Sequence, residues 1–597
     1  MTNKKAALKV ISLLMPILFA SLFIARASAL EIPSEYISKL EMKSDNFRGW
    51  GDTGNMIVTN VKHPGFTEII QVTSTKRIGN FWDVGAKYGN VLIQDVKKGD
   101  TMLFTFWARV ISTKNESGQG LFRVSINKKG GKWSDKTLAE DISVSREWQQ
   151  FHLPFKCKED YTVNQLITAF ESGLDAQILQ IGRAEMYYYG TKIPFTKIPK
   201  TKQSYAGREP DAKWRITADE RIKKHRMADF KIKVIDQKDK PVKNAKVHIS
   251  MKRHAYDFGT ACKASQLVES SGENYRTKFL ELFNSGTFYN DLKWKPISGD
   301  WGKGFNEIQT KQALEWVKRN NIRFRGHVMV WPGWKNLPKY MVKKYKDKAN
   351  ISCNEMKHEI LTHIEKVSKL TKGYLMEWDV INEPYSNDDL MALCSNEMMV
   401  DWFKAARKHM PDVGLALNDY GQIVSMSDTP HMEHFQKTAK LLINQGAPIT
   451  VLGLQGHFGA MVPTPDRVYL TLERYAKLGL RMRITEFTLA GDNKEVQADY
   501  LRDFYTMYFS HPMTIGIQAW GKLIDDDGKD NHLTKAYRAL VLKKWWTDEK
   551  LKTGKQGIVE GKGFLGDYRL TVEYNGKTKE VNQVLSKDSK EFVIQLD

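Results

Sequence analysis

The chain has 597 residues, 41% of them hydrophobic and 27% charged, a balance that excludes a disordered tail and, at roughly 100–200 residues per domain, gives two to four domains. Lys and Arg number 91 against 69 Asp and Glu, a formal charge of +22. The excess is dispersed, with only short runs such as Lys128 and Lys129 and no basic tail or helix with interleaved aromatics, so no nucleic acid is expected as partner. A basic surface suits an anionic polysaccharide or an acidic cell envelope.

Residues 1–29 read as a signal peptide. MTNKKAALK is a positive n-region, Val10 to Ile24 an apolar h-region broken by Pro16, and Ala27-Ser28-Ala29 fits a small-residue cleavage site. The expected location is therefore secreted, or the periplasm or cell envelope. No later stretch is long and apolar enough to span a membrane, so none is expected to hold the cleaved chain. Cys157, Cys262, Cys353 and Cys394 are far apart and form no CxxC pair, so neither a zinc site nor a redox motif is indicated. Their pairing stays open.

Residues 35–190 read as an antiparallel β-sandwich, with short strand candidates at Val91–Ile93, Thr101–Val110, Gly120–Ile126, Trp148–Pro154 and Gln177–Tyr189 between turn residues. Trp82, Trp107, Trp133 and Trp148 offer faces for stacking on sugar, against core packing as the ordinary role of a tryptophan. The order of KKGDTMLFTFWAR, then REWQQFHLPF, then the last strands resembles the carbohydrate-binding modules attached to polysaccharide hydrolases. A linker is expected at 191–229, where Pro194, Pro199 and Pro210 fall in an aperiodic Lys- and Thr-rich stretch. A small β unit at 230–256 leads into the next domain, and residues 549–597 read as a β appendage.

From 257 to 548 short apolar strands alternate with helical periods, an α/β pattern. Eight strands are predicted: Phe258–Cys262, Thr287–Asp291, Ile322–Met329, Glu377–Ile381, Leu415–Asn418, Leu452–Gln455, Arg481–Thr485 and Thr514–Ala519. Helices are predicted at Phe305–Asn320, Asn354–Leu370, Thr429–Gln445, Pro465–Leu478 and Lys494–Tyr508. Eight such units make a (β/α)8 TIM barrel, whose site lies at the C-terminal ends of the strands. Polar residues cluster there: Lys293, His327, Asn382 and Glu383, Asn418 and Asp419, Gln455 and His457, and Glu486, with Trp294, Trp331 and Trp520 beside them. Glu383 and Glu486, at the ends of strands four and seven, would face each other across the mouth. Paired carboxyls suit glycosidic cleavage, one protonating the leaving oxygen and the other supporting the oxocarbenium-like transition state.

The motifs RGHVMVW (325–331), WDVINEP (378–384), LNDYG (417–421), GLQGH (453–457), ITEF (484–487) and QAW (518–520) resemble glycoside hydrolase family 10, the retaining endo-β-1,4-xylanases. The resemblance implies Glu383 as general acid/base and Glu486 as nucleophile. It implies that Asn382 contacts the sugar 2-hydroxyl, that His457 bonds the nucleophile, and that Asn290, Lys293, His327, Trp331, Gln455 and Trp520 line the glycone side. Glu383 is then expected to start protonated and Glu486 ionised, roughly 5–5.5 Å apart as retention requires. The 230–259 unit and the YRLTVEYNG tail look like the plant-type branch. No cofactor or metal is called for, the partner is xylan-type polysaccharide, and a monomer is expected.

Three positions and one segment depart from the family pattern. Tyr289 replaces a Glu before Asn290, Pro332 a His after Trp331, and Thr488 an Asp after ITE, while GKLIDDDGKDNHL (521–533) replaces a Ser-Trp segment. These changes point at chain preference and leave two alternatives: the same mechanism on a substituted or mixed-linkage glucan, or a catalytically weak polysaccharide-binding protein. Two other patterns are set aside. HEILTH (358–363) spaces its histidines five apart, off a common helix face. Asp525, Asp526, Asp527 and Asp530 lack calcium-loop spacing.

Overall fold

The structure, a computed structural model, describes residues 30–596 except 52–55, 76–80, 115–118, 133–134, 174–175, 202–204, 302–304, 492, 522 and 525–528. The expected signal peptide, Trp133 and Asp525, Asp526 and Asp527 lie outside the described residues.

Residues 257–548 form a closed barrel of eight parallel strands: Asp257–Cys262, Ser285–Phe288, Arg323–Gly326, Leu375–Asn382, Gly414–Asp419, Val451–Leu454, Arg481–Leu489 and Thr514–Ala519. Strand one pairs with strand eight and strand six with strand seven, which closes the ring. These are the eight strands the apolar runs predict, because strands covered on both faces are apolar throughout. The helices between them start where the sequence supplies caps. Asn306, Ser352, Thr429, Thr464 and Asn493 each accept a backbone N–H of the first turn, and Pro430 and Pro465 open their helices.

The N-terminal unit is an antiparallel sandwich. One sheet contains Ser38–Met42, Met56–His63, Phe66–Ser74, Gln177–Gly190, Thr101–Thr113 and Gln149–Lys156; the other contains Phe47–Trp50, Gly85–Tyr88, Leu166–Glu171, Gly120–Lys128 and Leu138–Val144. Phe104, Phe106, Phe122, Val124 and Phe170 pack between them. Val91–Ile93 is not a strand. Its buried Val91 and Leu92 plug the core from a loop, with the Val91 N–H donating to the Leu166 carbonyl.

Two expectations for the connections are corrected. The stretch expected as linker, 191–229, contains a helix at Trp214–Arg226, held to the barrel by Trp214, Ala218 and Ile222 at i, i+4 spacing. The small β unit and the C-terminal appendage are one structure. Met227–Ile235 pairs with Ile558–Phe564 and Glu591–Gln595, while Lys246–His254 pairs with Asp548–Lys552 and Gly566–Tyr574. Neither segment can satisfy its strand edges alone, so the segments before and after the barrel pair with each other. Cys353 and Cys394 form a disulfide, and Cys157 and Cys262 are buried free thiols. Among the described residues no helix is long and apolar enough to cross a membrane.

Candidate active site

The eight strands deliver their C-terminal residues to one mouth, and hydrogen bonds join the two glutamates there. Asn418 Nδ2 donates to Asn382 Oδ1 at 2.7 Å and to Glu486 Oε1 at 3.0 Å. Gln455 Nε2 donates to the same Asn382 oxygen at 3.3 Å and to Glu383 Oε1 at 3.0 Å. Thr485 Oγ1 fixes the Asn418 amide by donating to its oxygen at 2.7 Å. Asn382 is thus the common anchor of both carboxylates, and its own Nδ2 is buried without a protein partner.

The two carboxylates have different surroundings. Glu383 accepts from neutral donors, Trp331 Nε1 at 3.1 Å and Asn387 Nδ2 at 3.1 Å, besides Gln455. Its backbone sits at φ +53°, a conformation that costs a non-glycine residue about 1–3 kcal/mol and clusters at functional sites. The Glu383 N–H bound to Asn418 O and the Glu383 carbonyl bound by Asn387 N–H hold it there. Glu486 lies 3.1 Å from His457 Nε2. Burial pushes its pKa up, but the His457 hydrogen bond and the positive fields of His327, His457 and Lys293 outweigh it, leaving the carboxyl at about 2.

Thr488 explains how one departure from the family pattern is absorbed. Its hydroxyl lies 3.0 Å from His457 Nδ1, so a neutral oxygen occupies the place opposite the ring nitrogen that faces Glu486. Tyr289 packs edge-on against Trp520 with centroids 5.1 Å apart, and Trp520 in turn meets His327 at 5.2 Å. Lys293 donates to Asn290 Oδ1 at 2.9 Å and rests over the Trp331 ring at 5.0 Å. The ten residues expected at the site are therefore contiguous. Sequence reasoning missed Asn387, whose only signal is its place four residues after Glu383, and gave Asn418 and Thr485 no role.

Below this floor runs an ionic ladder through the barrel interior. His327 Nδ1 lies 2.9 Å from Asp379, Asp379 accepts from Arg325 at 2.5 Å, and Arg325 donates to Glu377 at 2.5 Å. Arg483 then joins Glu377, at 3.1 Å, to Asp257, at 2.7 Å. His363 of the HEILTH motif is buried, stacked on Trp294 at 4.2 Å and near the Met329 carbonyl. Among the described residues no group of three or more His, Cys, Asp or Glu is placed to hold a metal ion.

A model of glycosyl hydrolase family 10 matches residues 247–538, the span of the barrel and its leading strand. The barrel belongs to glycosyl hydrolase family 10. An anti-sigma-I factor, RsgI6, of Acetivibrio thermocellus is 27% identical over 382 residues, 61% of this chain and 47% of that protein. Endo-1,4-beta-xylanase 1 of Arabidopsis thaliana is 24% identical over 365 residues, 59% of this chain and 37% of that protein. The chain thus spans less than half the length of these two relatives. Xylanase 10B of Thermotoga petrophila, solved with xylobiose, is 23% identical with a TM-score of 0.43, covering 49% of this chain and 95% of that one.

Outside the family 10 barrel, the sandwich presents an aromatic surface. Phe104, Phe106 and Ala108 point into its core, so Trp107 and Arg109 on the same strand face outward. Around Trp107, His63 stacks on Phe66 at 4.0 Å and lies 4.8 Å from the Trp107 ring, while Phe66 meets Trp148 at 5.0 Å. The Arg109 guanidinium covers Trp148 at 4.7 Å and donates to Gln180 Oε1 at 2.9 Å. Trp82 is separate from this group and 52% exposed.

Proposed function

We propose that the chain is an exported endo-acting glycoside hydrolase that cleaves β-1,4-linked xylan with retention. The asymmetry between the two glutamates carries the reading: Glu486 is held ionised by the His457 hydrogen bond and the fields of His327, His457 and Lys293, whereas Glu383 accepts from the uncharged N–H groups of Trp331, Asn387 and Gln455. Glu486 attacks the anomeric carbon while Glu383 gives its proton to the departing glycosidic oxygen, leaving a glycosyl ester on Glu486. Glu383, now a carboxylate, takes a proton from water, whose oxygen attacks the same carbon and releases Glu486. The partnerless Asn382 Nδ2 is available to the sugar 2-hydroxyl, a contact that strengthens as charge builds on the ring. The disulfide Cys353–Cys394 supports an oxidising compartment.

The outward aromatics on the sandwich support a second part of the reading, in which that face holds polysaccharide by stacking. Trp107→Ala is expected to reduce retention on insoluble xylan and to leave hydrolysis of soluble oligosaccharide unchanged.

The test of the main reading is reducing-end release from a panel of β-glycans, with the anomeric product followed by NMR, using the chain and its Glu486→Ala variant. Retained xylan products from the unaltered chain alone support it. Release only from a mixed-linkage or substituted glucan would move the specificity to Tyr289 and the 521–533 loop. Binding without turnover would overturn the hydrolase.

A further inference from the structure

We propose that the base of the barrel, at the end opposite the glutamates, holds a second ligand site for a small organic oxyanion, a sugar-sized molecule bearing a carboxylate or phosphate. A cavity of about 370 Å³ opens there, lined by Arg226, Arg323, Arg481 and Arg483, with Tyr256, Phe509, Ile515 and Leu565 among its apolar walls. Asp257, Arg323, Arg481 and Thr514 begin their strands, which places the cavity at the N-terminal end of the barrel. That volume is in the range of small-molecule sites, which combine apolar walls with a few convergent polar groups.

Four arginines line the cavity with Asp257, and Glu377 in the barrel interior shares Arg483. Asp257 is the carboxylate of the lining, and both its oxygens are engaged, Oδ1 by Arg323 at 2.6 Å and Oδ2 by Arg483 at 2.7 Å. Arg226 and Arg481 have no carboxylate within ion-pair distance among the described residues. Their bonds go to main-chain carbonyls and one hydroxyl: Arg226 to Phe509 O, His511 O, Thr514 O and Thr514 Oγ1, and Arg481 to Pro512 O. The aromatic faces of Tyr256, at 4.7 Å, and Phe509, at 5.2 Å, fix the Arg226 guanidinium in place. Arg483, 2% exposed, keeps Nη1 buried without a partner.

Gathering like charges at a partly buried site is costly without a counter-anion. The cost is visible at two of the arginines: burial, with Arg481 nearby, lowers the pKa of Arg226, and burial, with Arg253 and Arg483 nearby, lowers that of Arg323 despite Asp257. A bound carboxylate or phosphate would meet planar donors suited to bidentate contact. Its body would lie on the apolar wall. Inorganic phosphate alone would fill only part of the space, which is why the volume favours an organic anion.

Titration calorimetry on the chain at fixed ionic strength tests this, with sodium glucuronate, glucose 1-phosphate, inorganic phosphate and neutral xylose as probes. Saturable binding of glucuronate or the sugar phosphate, with none of xylose, is the expected result, and the stronger of the two names the anionic group. Arg481 is exposed at the mouth and bears one main-chain bond, so Arg481→Gln should fold normally. It should weaken the anion about tenfold, the value of one charge-assisted contact, while xylan hydrolysis at the far end stays unchanged. Should Arg481→Gln fail to fold, a crystal of the unaltered chain soaked in selenate replaces it, and an anomalous peak among Arg226, Arg481 and Arg483 is expected. No binding of either organic anion, equal binding of xylose, affinity indifferent to Arg481→Gln, or a selenate peak only elsewhere would each overturn the site.

Discussion

At the scale of single residues, the charge on Glu486 links chemistry to stability. Its folded pKa of about 2 lies below the ordinary 4.5, so the ionised form contributes stability that is full above about pH 4.5 and is lost as pH falls toward 2. Urea melts across that window should show a steeper loss for the unaltered chain than for Glu486→Gln, which has no carboxylate to protonate; parallel profiles would refute the depressed value. Thr488 acts at one remove, as a positioning residue for His457. Thr488→Val removes the oxygen 3.0 Å from His457 Nδ1 and keeps the side-chain volume. We expect kcat to fall about tenfold, the order of one lost hydrogen bond to a charged network. KM should stay near its starting value, and the acid limb of the pH profile should move upward as the His457 contact to Glu486 loosens. Thr488→Asp should restore both, which a merely structural role would not.

At the scale of elements, the barrel interior depends on a glycine. A Cβ on Gly516 of strand eight would lie 2.0 Å from Arg483 Nη1, and Arg483 is the rung that ties Glu377 to Asp257. Gly516→Ala must therefore push a buried guanidinium off its partners. Overpacking costs about 1–3 kcal/mol, and a broken buried ion pair adds to it, so chemical denaturation should show a loss of at least that size. The disulfide offers an independent test. It closes a sequence separation of 41 residues, worth about 4 kcal/mol in a chain-entropy account, and reduction should lower the melting temperature while the site geometry, built on other elements, survives. The barrel strands and their polar ends were legible in the sequence because each is a short apolar run finishing in a chemical group, as in WDVINEP and ITEF. The sandwich was legible at Thr101–Thr113, Gly120–Lys128, Gln177–Gly190 and the edge strand Gln149–Lys156. Met56–His63 and Leu138–Val144 were missed because polar residues interrupt their apolar runs, as in MIVTNVKH and LAEDISV. Helix Trp214–Arg226 was hidden by a stripe one residue wide, Trp214, Ala218 and Ile222, amid charged neighbours. Asn387 had no periodicity to mark it, since a loop after Pro384 carries it to Glu383.

At the scale of the whole molecule, the sandwich is seated on the barrel and not merely tethered to it. Gln119 of the sandwich exchanges hydrogen bonds with the Met461 backbone in the loop that follows His457, receiving Met461 N–H at 3.2 Å and donating to the Met461 carbonyl. The described residues of the segment between the two units are pinned at Thr201, Tyr205 and Arg208. His152 N–H donates to Thr201, Tyr205 OH donates to Asp503 at 2.8 Å, and Arg208 reaches Asp499 at 2.7 Å. Asp503 is the keystone. It is fully buried, and it binds Arg215 through both oxygens at 2.6 and 2.7 Å as well as Tyr205 and Arg502. Removing it strands the partly buried Arg215 guanidinium and the buried Tyr205 phenol, a change approaching the roughly 3–5 kcal/mol of a broken, fully buried pair. Because Tyr205 belongs to the connecting segment and Arg215 to helix Trp214–Arg226, the loss should appear first as release of that segment and only later as unfolding of the barrel. Asp503→Ala is therefore expected to become sensitive to trypsin between the sandwich and helix Trp214–Arg226, and to gain radius of gyration in small-angle scattering. Turnover of short oligosaccharides, which need only the barrel mouth, should be retained. A variant that keeps the compact scattering profile and resists the protease would show that Gln119 and the loop after His457 hold the two units together by themselves.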